Sequence, residues 1–368
     1  MPVDVSPLFT PFQVHGLRLA NRIVMAPMTR SQSPGGVPGP DVAAYYRRRA
    51  EHGVGLILSE GTAIDHPAAV MGDRIPRFHG EGALAGWAAV IAGVHAAGGR
   101  MMPQLWHVGT ARKPGAAPNP EAPPAGPSGL TVTGEAAGAP LTDAEVVALV
   151  DAYARGAAAA HRLGFDGIEL HGAHGYLIDQ FFWAATNRRT DRWGGDIAGR
   201  TRFAAEVVRA CRRATASDFP ILLRFSQWKI PVYDARLAVT PDELARFLSP
   251  LVEAGVDVFH CSTRRFWEPE FPGSPLNLAG WTRRLTGRPT ITVGSVGLDH
   301  DFIEGLFDRQ RAESAGLEAL VGMVSRGEAD LVAVGRALLV DPAWAEKVRD
   351  HRVDELQPFT PEALTTLS

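Results

Sequence analysis

Two cysteines, Cys211 and Cys261, are all that the 368 residues contain. The first falls in a helical pattern and the second ends a strand pattern, so they make no disulfide framework and a reducing, cytoplasmic setting fits. Long apolar runs are missing as well: no stretch reaches the roughly 18 residues of a membrane span. The opening MPVDVSPLFTPF has neither a basic start leading into an apolar run nor a small-residue cleavage site. The expectation is a protein neither exported nor membrane-spanning. No charge sign dominates either. With 37 Lys and Arg against 40 Asp and Glu the formal net charge is -3, and the mixed signs offer no broad surface for nucleic acid or an anionic membrane. Lysines are few and none ends a strand in the reading below, which counts against the Schiff-base nucleophile of an aldolase. These absences leave a small-molecule partner, with room for a homo-oligomer.

What is present suits a large buried core, with 45% hydrophobic and 21% charged residues. The length would allow two average domains, but α/β barrels use this much chain for one, so a single domain over 1–368 is expected. Eight short apolar runs recur between longer helical patterns, at 22–27, 55–59, 100–106, 167–171, 221–226, 256–261, 290–294 and 330–335. Near-continuous Val, Ile and Leu in ILLRF and LVAVG is what strands buried on both faces require, hence a parallel sheet. Helix signals fill the gaps. Thr142-Asp143-Ala144-Glu145 reads as a capping box before an Ala-rich stretch to Leu163, and Thr240-Pro241-Asp242-Glu243 repeats it before a helix towards Ala254. Further helices are expected at 40–52, 82–97, 200–214, 302–326 in pieces, and 342–348. An open sheet of eight strands would be unusually wide, so the economical topology is a (β/α)8 TIM barrel. Insertions follow its third and sixth strands: 113–140, with seven prolines and five glycines, and 263–277, TRRFWEPEFPGSPLN. Loops after strands form the active face of such barrels, so both insertions should border the pocket.

Strand ends in this reading converge on one site, and its residues are polar: Thr29, Gln104, His171, His174 and Arg224, with Gly294-Ser295 after strand seven and Gly335-Arg336 after strand eight. The last two loops are the usual phosphate site of such barrels. There the glycines admit close backbone approach, Ser295 adds a hydroxyl and Arg336 a charged fork. Taken singly, Gly-Ser and Gly-Arg are ordinary strand-ending turns; at both expected positions together they point to a phosphorylated cofactor. In His171-Gly172-Ala173-His174-Gly175-Tyr176, two imidazoles and a phenol within six residues could converge on one substrate atom. Zinc is the competing use of the histidines, but Glu169 and Asp179 complete no recognisable ligand spacing. Cys261 has no evident base, and Ser59 lacks the glycine pattern of a nucleophile elbow.

Five segments in order, LRLANRIVMAPMTR from Leu17, QLWH from Gln104, HGAHGYLIDQF from His171, NRRTDRWGG from Asn187 and VGRALLVDP from Val334, together resemble the Old Yellow Enzyme family over about Leu8 to Trp344. That resemblance implies a non-covalent FMN at the open face of the barrel, reduced by NADPH or NADH and reoxidised by an activated alkene in a ping-pong cycle. It implies that Pro27, Met28 and Thr29 lie along the flavin ring, with the Thr29 hydroxyl near O4, and that Gly61 and Gln104 face it. Arg224 would stand by N1 and the C2 carbonyl, and Gly294, Ser295, Ala333, Gly335 and Arg336 would hold the phosphate. His171 and His174 would bind the acceptor's carbonyl or nitro oxygen while Tyr176 protonates the α carbon, for net trans addition. Trp106, Phe266 and Trp267 would shape the substrate pocket. The chain departs from the family's pattern at Gly109-Thr110 after QLWH, where the family often has a Gly-Arg pair, and after Gly194-Gly195. Thr29 stands where some relatives carry Cys. The same scaffold could instead reduce nitrate esters or other xenobiotics, or demethylate oxidatively; a phosphate-binding aldolase or isomerase barrel and a non-catalytic binding protein are the readings outside this chemistry.

Overall fold

A sheet that must hide both faces can close on itself, and this one does. The computed structural model describes residues 3–298 and 316–368. After an antiparallel hairpin, β1 (Phe12–Val14) and β2 (Leu17–Leu19), come eight parallel strands. They are β3 (Ile23–Met25), β4 (Leu56–Ala63), β5 (Met101–Trp106), β6 (Ile168–His174), β7 (Ile221–Lys229), β8 (Val258–Ser262), β9 (Thr290–Val293) and β10 (Leu331–Val334). Each coincides with a predicted strand, and they pair in the ring β10-β3-β4-β5-β6-β7-β8-β9, a closed (β/α)8 barrel. Alternation along each strand sorts the side chains. Val24, Leu58, Met102, Leu222, Val258 and Ile291 point inward and pack as one cluster, while Ile23, Ile57, Leu223 and Phe259 point outward into the larger core beneath the helices. The hairpin went unread in the sequence. It closes the lower end of the barrel, because Phe12, Leu17 and Leu19 join the inner cluster.

Two residues higher on β5, β7 and β8 the interior turns polar. Met102 gives way to Gln104, Leu222 to Arg224 and Val258 to His260, all buried. A barrel with an apolar floor and a polar ceiling has a built-in top, and the helices fit around it. They are α1 (Pro40–Glu51), α2 (Glu81–Ala96), α3 (Asp143–Leu163), α4 (Leu177–Phe182), α5 (Arg202–Arg213), α6 (Pro241–Ala254) and α7 (Leu278–Thr286), followed by Leu317–Ser325, Arg336–Val340 and Trp344–Arg349. Of the helix expected at 302–326, residues 302–315 lie outside the described residues. Thr142 and Glu145 form the complete capping box of α3. At α6 only half of the predicted box forms: Thr240 accepts from Glu243 N–H, but Glu243 reaches past it to the N–H of Val239 at 2.8 Å.

No helix forms in 113–140. The NRRTDRWGG segment buckles that insertion to the barrel: Asn187 Nδ2 donates to the carbonyls of Phe181 and Trp193, both at 2.8 Å. Arg189 donates to Pro127 O and Leu141 O, and Trp193 Nε1 donates to Asp143 at the start of α3. No helix among the described residues is long and apolar enough to cross a membrane.

Candidate active site

The upper ends of the strands open on a cavity of about 450 Å³. Pro27, Met28, Thr29, Gly61, Gln104, Trp106, His171, His174, Tyr176, Arg224, Gly294, Ser295, Gly335 and Arg336 all line it. Three predicted residues do not. Ala333 points inward but lies fully buried in the apolar floor with Val24 and Leu331. Phe266 is fully buried in the outer core, stacked edge-on against Trp267, which is itself 41% exposed. The reason is the path of the 263–277 loop. Phe266 N–H donates to Gly294 O at 3.0 Å and folds the loop back over the rim, so only Thr263 and Arg264 reach the cavity. From 113–140, no residue lines it.

The imidazoles owe their convergence to an irregularity. Residues three apart on a regular strand face opposite ways, but the β6–β7 register shifts between Gly172 and His174, where β7 takes four steps to two on β6, and His174 itself turns left-handed with φ at +65°, which leaves it on the side of His171. The ring centroids of His171 and His174 are 5.2 Å apart, and those of His171 and Tyr176 are 5.1 Å apart. Trp106 packs edge-on to Tyr176 at 4.9 Å. His171 Nδ1 accepts from Ala173 N–H at 3.3 Å, so its ring proton belongs on Nε2. His174 Nε2 lies 2.8 Å from Ser262 Oγ, which also accepts from Arg224 Nη2 at 3.3 Å. Burial, reinforced by the Arg224 charge, holds both imidazoles well below the usual histidine range, so both are neutral. Burial also raises the Tyr176 phenol, which therefore keeps its proton.

Across the barrel, β9 and β10 present Gly294, Ser295, Gly335 and Arg336. A Cβ on Gly294 would lie 2.6 Å from Thr263 O, and with φ at +147° only glycine serves there. Arg336 Nη2 approaches Ser295 Oγ at 3.5 Å, and its guanidinium rests over the Phe359 ring, 5.3 Å from its centroid. Between these ends Gln104 Nε2 donates to Glu169 Oε1 at 2.8 Å, and Glu169 Oε2 takes the Nδ1 proton of His260 at 2.6 Å. Arg224 is buried with one hydrogen bond among the described residues and its Nε without an acceptor. An under-partnered buried cation on a cavity wall fits a ring that gains negative charge on reduction, and the Ser295-Arg336 end fits a phosphate.

Sequence reading missed several wall residues. Trp228 stacks on His174 with centroids 4.5 Å apart; β7 was expected to stop at Ser226, although the inward period of two through Arg224 and Ser226 leads on to Trp228. Leu364 reaches the cavity from the far end of the chain, where Arg30 Nη2 donates to the carbonyls of Ala363 and Thr366. The expectation that no lysine ends a strand also needs correction. β7 continues to Lys229, which pairs with His174 across the ladder. Its ammonium is wholly buried against Asp179 and does not line the cavity.

Among the described residues no three His, Cys, Asp or Glu side chains are grouped to hold a metal. Residues 7–301 match the NADH:flavin oxidoreductase / NADH oxidase family. The chain is 33% identical to 12-oxophytodienoate reductase 7 of Oryza sativa subsp. japonica, over 94% of this chain and 88% of that protein. It is 32% identical to an NADH oxidase of Thermoanaerobacter brockii, over 95% of this chain and 52% of that protein. The structure of morphinone reductase in complex with tetrahydroNAD superposes with a TM-score of 0.81 at 29% identity, covering 97% of this chain and 93% of that one.

Proposed function

Because this chain belongs to the NADH:flavin oxidoreductase / NADH oxidase family, that of Old Yellow Enzyme, we propose that it reduces the C=C bond of an alkene activated by a carbonyl or nitro group. When bound, FMN would supply the redox chemistry, hydride transfer between NADPH or NADH and the β carbon of the acceptor. Pro27, Met28, Thr29, Gly61 and Gln104 would line its ring, Arg224 would face the region where charge develops, and Gly294, Ser295, Gly335 and Arg336 would take its phosphate.

The observation that carries this reading is the cluster of His171, His174 and Tyr176 on β6 and its following turn, across the barrel from Ser295 and Arg336. His171 offers Nε2–H. Arg224 only donates, so Ser262 accepts from it and has its hydroxyl proton left for His174 Nε2; His174 then carries its own proton on Nδ1. Two neutral N–H donors would hold the acceptor oxygen and draw density from the alkene without surrendering a proton. Tyr176, still protonated because burial raises it, supplies the proton to the α carbon; the developing enolate is a strong enough base to take it.

The test separates the two half-reactions. Enzyme reduced anaerobically by NADPH or NADH is mixed with enones, maleimides, nitroalkenes and nitrate esters, and flavin reoxidation is followed by absorbance. Members of the first three classes should reoxidise wild type. Tyr176→Phe should slow that step by about 10²-fold or more while leaving flavin reduction within about twofold. Reoxidation by nitrate esters alone would reject the alkene reading, and equal slowing of both steps would remove Tyr176 from the proton-donor role.

A further inference from the structure

We propose that the buried Asp179–Lys229 ion pair is the positioning device of the active-site turn, fixing Tyr176 and His174 relative to each other without touching substrate; this rests on the alkene-reductase reading above.

The turn needs holding. His174 has φ at +65° and Gly175 at +81°, two consecutive left-handed residues of which one is not glycine. Apart from Tyr176 N–H donating to Ala173 O at 3.3 Å, the backbone bonds of His174 and Gly175 lead to the end of β7 or the start of α4. His174 N–H donates to Ser226 Oγ at 3.0 Å, and Ile230 N–H donates to His174 O at 3.3 Å. Gly175 N–H donates to Asp179 Oδ2 at 2.7 Å, and Gly175 O accepts from Gln180 Nε2 at 2.6 Å. Two anchors therefore grip adjacent residues, the strand holding His174 and the helix holding Gly175.

The ion pair ties those anchors together. Lys229 Nζ donates to the carbonyls of Ser226 and Gln227, both at 3.0 Å, and stands 2.9 Å from Asp179 Oδ1 as an ion pair rather than an aligned hydrogen bond. Asp179 thus holds Gly175 with one oxygen and faces the lysine with the other. Lys229 in turn holds the peptide of Ser226, whose hydroxyl holds His174. The circuit runs from Gly175 through Asp179, Lys229 and Ser226 back to His174, and Tyr176 leaves it at the next residue. Both charged side chains are fully buried, and neither lines the cavity. A buried ion pair is a poor source of stability against an apolar pair of the same volume, whereas it specifies one geometry. Burial, opposed by the Lys229 charge and the Gly175 N–H, pushes the Asp179 carboxyl up to about 6, still ionised at neutral pH, and the Lys229 charge adds to those that keep His174 neutral.

Asp179→Asn, Lys229→Met and the double variant, each loaded with FMN, are tested in both half-reactions beside wild type, with hydrogen exchange of peptide 171–181. The single variants should be reoxidised by 2-cyclohexenone or N-ethylmaleimide some 10- to 100-fold more slowly than wild type, with flavin reduction within about twofold. The double variant, free of any unpaired charge, should match wild type in FMN content and melting temperature yet keep the slow reoxidation and show faster exchange in that peptide. Wild-type reoxidation rates in the folded double variant would overturn the proposal alone. So would losses shared equally by both half-reactions, or failure of the double variant to fold, since either makes the pair merely structural. A wild type that no activated alkene reoxidises would reject the underlying reading, and the positioning role with it.

Discussion

Glu60 should make this protein lose stability as pH rises through neutrality, against the usual behaviour of carboxylates. It sits on β4 with its side chain buried, Oε2 accepting from Arg30 N–H at 2.9 Å and Ser31 N–H at 3.3 Å, while Oε1 has no partner. Burial raises its pKa from 4.5 to about 7, opposed by those two backbone bonds. In the folded state the proton is therefore held where the unfolded chain has released it. The sign follows: the contribution is fully present below 4.5 and is lost as pH climbs through about 7. At about 1.4 kcal/mol per pH unit the full effect is about 3 kcal/mol, of which about 2.5 kcal/mol develops between pH 5 and pH 8. Glu60→Gln cannot ionise, yet keeps an acceptor for Arg30 and Ser31. Urea unfolding of wild type and variant, with FMN in constant excess, should show stability differences between about pH 5 and about pH 8 that diverge by that amount, wild type falling more steeply. Parallel pH dependences would refute the reasoning, because every other titrating group is common to both proteins. The functional stake is local: the two amides Glu60 holds follow Thr29 on the cavity wall, and Ser31 has φ at +54°.

Two further outcomes are expected. Gly61→Ala would bring a Cβ to 2.6 Å from Trp106 Cε3, displacing the indole from the wall; the FMN dissociation constant should rise by about tenfold or more in a fluorescence titration, and an unchanged constant would show that the ring does not lie there. Thr142→Ala removes the hydroxyl of the α3 capping box and should cost about 1 kcal/mol in urea unfolding with both half-reactions unaffected.

What could be read in the sequence was whatever repeats with a short period. ILLRF and LVAVG announce buried strands because nearly all their residues are apolar on both faces, regardless of the rest of the fold. The hairpin at Phe12–Val14 and Leu17–Leu19 offers three residues per strand, too few for a period. Its tight turn places φ at +49° on His15, where turn rules look for glycine or asparagine. Its purpose as a plug for the barrel floor is visible only once eight distant strands enclose Val24, Leu58 and Met102. The half-formed box at Thr240 differs for a similar reason: Glu243 had two N–H groups within reach, and spacing alone does not choose between Thr240 and Val239.

The same division runs through the site. Gln104, His171 and Arg224 were legible because inward-facing positions near the top of a strand must meet the cavity. Phe266 and Trp267 were not, because a loop's path depends on where it bonds, here Phe266 N–H on Gly294 O. Lys229 shows the limit most plainly. Following Trp228 and preceding Ile230-Pro231, a lysine reads as the solvated end of a strand, since an ammonium is almost never fully buried without a partner. The partner exists, but it is Asp179, fifty positions earlier in the chain, and the two meet where an irregularity in β7 carries the ladder on to a His174–Lys229 pairing. No local pattern contains that pairing. Positions that face the site because of a period can be found by counting, whereas the residues that hold those positions still are joined by contacts between strands.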